Sequence, residues 1–342
     1  MIFFRIDLSN KHGLGHYNRV KSLIKYLDLK NYKIVVDKSP SSSFFANEKK
    51  NIMTLYNNNN FFINEKDDAN RFLRIVKNKL DKPIVIKDSY RLGFKWEKHI
   101  YKYCKKVIVI DDFPESKHFA NCYINHSPSF LEKNSQVLQK IKNNNKKGCT
   151  FLLGPKYALF NFRHNKKEKM VSDFIFYNGG SGNLLIYEKI INKLSKIKKK
   201  PFKIILIVGP FAKNYKIICK KFKKYKNVKI LHQPQNILNF LAGTKVFISS
   251  AGVSIFESSF LKVPTLLFKM NDNQNLIDLD YEQLGHYFSL EKRDLNFSDK
   301  IVNLVALMMK NRIQIVKMMT KSSINIKKIK KNYQEYFNFQ YE

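Results

Sequence analysis

The chain has 342 residues, so at about 150 residues per domain two domains are expected. Apolar residues at 44% and aromatics at 14% supply packed cores and exclude a disordered chain. The 63 basic and 27 acidic side chains leave a net charge of +36, which suits a polyanion, an anionic membrane or a phosphorylated substrate. Lysine and asparagine are heavy throughout, however, as in NNNN at 57–60, so the lysines read as scattered by compositional drift.

Taken in chain order, short β-branched runs alternate with longer amphipathic stretches, the pattern of βα units on parallel sheets. Strands are predicted at 2–7, 33–37, 83–88 and 107–111, and every one ends in Asp. Val20, Leu23, Ile24 and Leu27 between the first two form one helical face, completing a βαβ unit. The rhythm restarts with strands at 173–180, 202–209, 228–233, 245–252 and 264–268. A Gly-Pro turn and a basic polar run place the linker near 160–170. The final stretch, 324–339, puts Ile326, Ile329, Tyr333 and Tyr336 on one side of a helix; it suits either a membrane surface or, more commonly, docking onto a domain.

Cys104, Cys122, Cys149 and Cys219 show neither disulfide-framework nor zinc-ligand spacing. With no export signal at the start and no apolar run long enough to span a bilayer, a reducing cytoplasm is the expected setting.

Three turns carry chemistry. In RIDLSNKHGLGHYNR (5–19), a strand ending in Asp7 leads through Gly13 and Gly15 to His16 at a helix start. Ligands of open α/β sheets bind beyond the carboxyl ends of strands, so His16 is a candidate functional residue, although a histidine bonded to a loop carbonyl has the same sequence. In NGGSGNLL (178–185), glycines at a helix start favour phosphate oxygens, although a tight turn with no ligand has the same sequence. In SSAGVSIFESSF (249–260), Ser254 and Glu257 can form a capping box; the alternative is a carboxylate accepting ribose hydroxyls beside a diphosphate-binding turn. The amides of NDNQN (271–275) suit sugar hydroxyl or acetamido groups.

Two doubly wound halves with these turns resemble the GT-B architecture, an α/β fold of two Rossmann-like domains facing a cleft. RIDLS...GLGHYNR, KDSYRLGFKWE (87–97), VIVIDDF (107–113), LLGPKYALF (152–160), NGGSGN and NDNQ resemble, in order, the motifs of the UDP-2,4-diacetamido-2,4,6-trideoxy-β-L-altropyranose hydrolases of pseudaminic acid biosynthesis, a family also labelled spore coat polysaccharide proteins. The resemblance covers about residues 1–285. The linker and the terminal amphipathic stretch divide the chain into domains at 1–163 and 170–322 with a C-terminal helix at 323–342. The resemblance implies His16 as catalytic residue, with Gly13, Gly15 and Arg19 in its loop. UDP would be held by Gly180, Ser181, Ser250, Ala251, Gly252, Val253, Ser254 and Glu257, and the sugar by Asp7, Tyr90, Asn273 and Gln274. No metal or other cofactor is expected, nor a specific nucleic acid partner, and the chain is expected to be a monomer. Two positions depart from the family: Gly182 stands where an Asp is usual, and Val253 where a glycine or serine is usual.

The expected reaction is metal-independent hydrolysis of the UDP-sugar to UDP and free sugar. A GT-B glycosyltransferase passing the sugar to another acceptor is the alternative enzyme, and a polyanion-binding protein the alternative from another class.

Overall fold

The computed structural model describes residues 1–8, 14–38, 43–56, 62, 64–76, 81–127, 135–163, 171–180, 182, 184–196, 201–212, 214–250, 252–269, 284, 286–291, 296–319 and 324–338. The chain separates into two compact units. One takes the chain through Leu159, apart from residues 13–15, and takes it again from Lys327; the other is built on Phe160–Ile326.

The first unit holds strands β1 (Ile2–Ile6), β2 (Tyr32–Val36), β3 (Ile52–Thr54), β4 (Ile84–Asp88), β5 (Lys106–Ile110), β6 (Cys122–Asn125) and β7 (Thr150–Leu153). They form one parallel sheet in the order β3-β2-β1-β4-β5-β6-β7. Its helices are α1 (Gly15–Tyr26), α2 (Glu65–Val76), α3 (Phe94–Tyr101) and α4 (Ser135–Asn144). The four strands expected here are present within a residue or two of their predicted bounds. β3, β6 and β7 were not expected, being three or four residues long and too short for a periodic signal.

The pleat of this sheet explains where its charges go. Side chains alternate between faces, so Phe3, Val35, Val85, Val107 and Val109 pack with Phe72 of α2 and with Trp96 and Ile100 of α3. Arg5 and Lys87 follow the same parity as Phe3 and Val85. Arg5 accordingly meets Asp68 of α2, with Nε 3.1 Å from Oδ1, and Lys87 meets Glu97 of α3, with Nζ 2.8 Å from Oε1. Asp88, one residue on, belongs to the opposite face, where α1 lies. All four of those charged side chains are fully buried and paired, as burial of charge demands.

The second unit holds β8 (Ser172–Tyr177), β9 (Ile204–Val208), β10 (Val228–His232), β11 (Thr244–Ser250), β12 (Thr265–Lys269) and β13 (His286–Glu291). They make a parallel sheet in the order β10-β9-β8-β11-β12-β13. Its helices are α5 (Glu188–Leu194), α6 (Tyr215–Phe222), α7 (Leu238–Leu241), α8 (Ser254–Phe260), α9 (Phe297–Lys310) and α10 (Arg312–Met318). Ile190, Phe222, Val305 and Ile315 join one core on one face of the sheet, and Leu241, Phe247 and Val263 join another on the opposite face. Both units are therefore doubly wound, each with helices on both faces.

The last helix, α11 (Ile326–Asn338), belongs to the first unit. Ile329, Tyr333 and Phe337 are its buried positions, so Phe337 takes the place expected for Tyr336. Tyr333 Oη donates to the Tyr157 carbonyl at 2.6 Å, and Asn332 Nδ2 to that of Lys156 at 3.0 Å. Docking onto a domain, rather than lying on a membrane, is thus what this amphipathic pattern serves.

Candidate functional site

In the first unit the site grows from the carboxyl ends of β1, β4 and β5. Ile6 of β1 pairs with Asp88 of β4, and the Asp7 amide donates to the Asp88 carbonyl at 3.3 Å. The chain then enters α1 at Gly15, where the space that a side chain would fill is open. His16 and Arg19 lie one helical turn apart on the face turned to Asp88.

His16 is buried, and its Nδ1 lies 2.6 Å from Asp88 Oδ1. Arg19 Nη2 lies 2.9 Å from the same Nδ1. The carboxylate only accepts, so in the neutral ring its contact favours the proton on Nδ1 and the lone pair on Nε2, and an imidazole held in this way can act as a general base through Nε2. Among the described residues the partners of His16 Nδ1 are the Asp88 carboxylate and the Arg19 guanidinium, not a loop carbonyl.

Arg19 grips Asp88 with a fork, Nε to Oδ2 at 2.9 Å and Nη2 at 2.6 Å to Oδ1, the oxygen that His16 also contacts. Its Nη1 donates to Asp112 Oδ2 at 2.6 Å. Tyr90 Oη donates to the same Asp112 oxygen, and the Tyr90 ring meets the His16 ring edge-on with centroids 4.6 Å apart. Burial would raise the Asp112 carboxyl, but the Arg19 charge, the His126 charge and the hydrogen bonds from Tyr90 and Arg19 together outweigh it and hold Asp112 well below the usual carboxylate range. Burial, then the Asp112 charge, pushes the Tyr90 phenol well above its ordinary value, so it remains a neutral donor. His126 lies 4.0 Å from Asp112; burial pushes it down to about 4, which the Asp112 charge does not reverse, so it is neutral near pH 7.

Asp7 is fully buried. Its Oδ1 accepts from Arg91 Nη2 at 2.5 Å and its Oδ2 from Ser89 Oγ at 2.8 Å, while Arg91 also reaches Asp37 at 2.8 Å. Burial pushes Asp7 up, yet the Arg91 hydrogen bond and charge bring it to about 2. Asp111 and Asp112, adjacent at the end of β5, turn apart as the pleat requires. Asp111 Oδ2 lies 3.3 Å from His118 Nε2, on the side away from Arg19.

In the second unit the first glycine turn follows β8. Gly179 has φ of +73°, a left-handed backbone that disfavours other residues. A Cβ on Gly182 would stand 1.9 Å from the Asn178 carbonyl oxygen, so the turn is folded too tightly for the Asp usual in the resembled family. The second turn follows β11. Ser249 and Ser250 are buried at the strand end, Gly252 has open space around its Cβ position, and Ser254 Oγ lies 3.4 Å from Ser249 Oγ. The expected capping box is not realised: Val253, not Ser254, is the N-cap of α8, and no side chain caps it. Val253 has φ of −55° and ψ of −28°, which any residue adopts, so the turn does not require the usual glycine. Glu257 is buried one turn into α8. Gly13, Ser181, Ala251, Asn273 and Gln274 lie outside the described residues.

The fold therefore brings His16, Arg19 and Tyr90 together and holds Asp7 in a neighbouring ion network. Asp88, Asp112 and His126 were missed in the sequence, although the Asp that ends every early strand was a usable signal for the first of them. Among the described residues no group of three His, Cys, Asp or Glu side chains is arranged to hold a metal ion.

No family model matches the chain. A protein of Methanocaldococcus jannaschii described as uncharacterized is 25% identical over 288 residues, 80% of this chain and 57% of that protein. The chain thus spans little more than half the length of that relative. Among solved structures, UGT89C1 of Arabidopsis thaliana complexed with UDP aligns with a TM-score of 0.67 at 13% identity, over 98% of both chains. HepE of Anabaena in complex with UDP-glucose gives 0.61 at 10% identity over 99% of both. The pneumococcal O-GlcNAc transferase GtfA in complex with UDP and GlcNAc gives 0.62 at 8% identity, over 99% of this chain and 98% of that one. At such identities the likeness concerns the fold. The chain has the α/β GT-B architecture of two Rossmann-like units.

Proposed function

We propose that this chain is a UDP-sugar-dependent GT-B enzyme in which His16 is the base that activates the incoming nucleophile. The observation that carries this reading is the 2.6 Å contact between His16 Nδ1 and Asp88 Oδ1, which leaves Nε2 as the proton acceptor. In the reaction a hydroxyl gives its proton to Nε2 as its oxygen bonds to the anomeric carbon. The bond from that carbon to the β-phosphate oxygen breaks, and its electron pair leaves with UDP. Asp88 stabilises the imidazolium that forms, and Arg19 fixes Asp88.

The second unit supplies the nucleotide side of this proposal. Gly180, Ser181 and the turn from Ser250 through Ala251, Gly252 and Val253 to Ser254 would take the diphosphate, and Glu257 the ribose. Asn273 and Gln274 would take the sugar, with Tyr90 beside His16, and Asp7 acting through Arg91. The nucleotide assignment draws support from three structural neighbours solved with UDP or UDP-glucose.

Transfer to an acceptor hydroxyl is the reading those neighbours support. Hydrolysis of a UDP-linked diacetamido-trideoxyhexose, with water as nucleophile, is the second reading, supported by the ordered motifs from RIDLS to NDNQ. A cytoplasmic setting belongs to the same proposal. The test is to incubate the purified chain with UDP-sugars, the diacetamido-trideoxyhexose nucleotide among them, and follow UDP with and without added acceptor. UDP and free sugar formed at full rate without acceptor select hydrolysis. Release that requires an acceptor selects transfer, and no release from any UDP-sugar rejects both.

A further inference from the structure

The excess positive charge is not spread evenly along the chain. Between Glu188 and Lys229 the chain carries fifteen lysines and one acidic residue, whereas from Ile230 to Lys262 it carries two lysines and Glu257. Compositional drift has no reason to distinguish neighbouring segments of one unit. The fold does distinguish them. α5 and α6, in the first segment, pack with α9 and α10 over one face of the second sheet, while α7, in the second segment, packs on the other. Ten of the eleven lysines described between 188 and 229 are exposed. The few acids of this layer are already matched within it, Glu188 by Lys221 at 2.6 Å and Asp299 by Lys193.

The same layer exposes apolar side chains. Among the described residues seven large hydrophobics are exposed, and four of them are here: Ile217 on α6, Leu307 on α9, and Ile313 and Met318 on α10. A single exposed aliphatic residue needs no explanation, but four on one lysine-rich layer do. Phosphate contacts alone would account for the lysines and leave the aliphatic side chains idle. A nucleic acid surface would be met by arginine forks and stacked aromatics, and the 188–229 segment contains no arginine. An anionic bilayer uses both features, since lysines meet headgroup phosphates while aliphatic side chains enter the acyl boundary.

We infer that the outer face of the α5, α6, α9 and α10 layer docks the second unit onto an anionic lipid membrane. The contact is peripheral: among the described residues no helix is long and apolar enough to cross a membrane.

The full chain is sedimented with vesicles of phosphatidylcholine alone and of phosphatidylcholine mixed with phosphatidylglycerol, across a salt series, beside two variants. One is Lys216→Gln, Lys220→Gln and Lys224→Gln together; the other is Leu307→Ser, Ile313→Ser and Met318→Ser together. All six positions are exposed, and an unchanged melting temperature verifies that each variant folds. The parent is expected to bind the phosphatidylglycerol vesicles only, with loss at high salt. The charge variant should bind on the order of a hundredfold more weakly, because each lysine near an anionic surface contributes about 1 kcal/mol. The apolar variant, with its charge intact, should bind roughly tenfold more weakly. No binding to phosphatidylglycerol vesicles overturns the inference. So does an apolar variant that binds like the parent while duplex DNA competes the vesicles off, which would make the layer a general polyanion surface.

Discussion

Arg19 and Asp88 meet through two nearly parallel hydrogen bonds, Nε to Oδ2 and Nη2 to Oδ1, and that fork holds the carboxylate against His16. Asp88 is thereby fixed by a guanidinium whose Nη2 shares Oδ1 with the imidazole, so its orientation does not depend on bound substrate. Replacing it with Asn keeps the volume and removes the charge. Turnover of Asp88→Asn is expected to fall by roughly 10²- to 10⁴-fold with UDP affinity unchanged, as steady-state kinetics and calorimetry would register. His16→Ala should fall by a similar factor, and the double variant by no more than the worse single, because the two residues act as one device. Multiplicative losses would mean that they act separately.

Arg19→Lys tests the fork itself. Lysine retains the charge but reaches one oxygen at a time, so Asp88 gains rotational freedom. Turnover is expected to drop on the order of tenfold, with KM for the UDP-sugar little changed. A rise in KM with kcat preserved would instead assign Arg19 to substrate binding.

The stability of the first unit should depend on acid through Glu97. Burial raises its carboxyl, but the Lys87 charge and the His118 hydrogen bond outweigh burial and hold it at about 2, against 4.5 when unfolded. The unfolded chain therefore binds the proton first, and the contribution is complete above about pH 5 and lost as pH falls toward 2. Its size is roughly 3 kcal/mol. Urea midpoints measured from pH 7 down to pH 2 should fall over that window, and Glu97→Gln should be less stable at pH 7 and flatter below it. His118 runs the other way. Its hydrogen bond to Glu97 and the nearby Asp111 carboxylate overcome burial and raise its pKa, so its contribution is present below its ordinary value and fades as pH rises through the higher folded one.

The two glycine turns of the second unit should respond oppositely to substitution. Gly182→Ala places a methyl group against the Asn178 carbonyl, and Gly182→Asp, the residue usual in the resembled hydrolases, is no better. Both are expected to lower the melting temperature, with a loss of about 1 to 3 kcal/mol from overpacking. Gly252→Ala meets nothing within 4 Å and should leave the melting temperature unchanged. If UDP passes close to this turn, calorimetry will show weaker UDP binding for that stable variant.

Divalent ions are expected to be dispensable. Excess EDTA should leave UDP release at its full rate, and a loss restored by magnesium or manganese would show that an ion assists the leaving diphosphate.

The sequence alone determined what local periodicity can encode. Alternating β-branched runs and the face formed by Val20, Leu23 and Ile24 announced parallel βα units, and the glycines beside His16, at Gly179 and Gly180, and at Gly252 marked turns at strand ends. Each signal lies within a few residues, where the pleat and the helical turn act directly. The tertiary structure decided which distant residues meet. Asp88 is 72 residues from His16, and only the β1-β4 adjacency in the sheet brings their elements together. The same pleat sends Lys87 to α3 and Asp88 to α1, although the two are neighbours in the chain. Periodicity likewise could not show that α5, α6, α9 and α10 share one face of a sheet. The lysines and exposed aliphatic residues of those helices are far apart in sequence and form one surface only after the strands have paired.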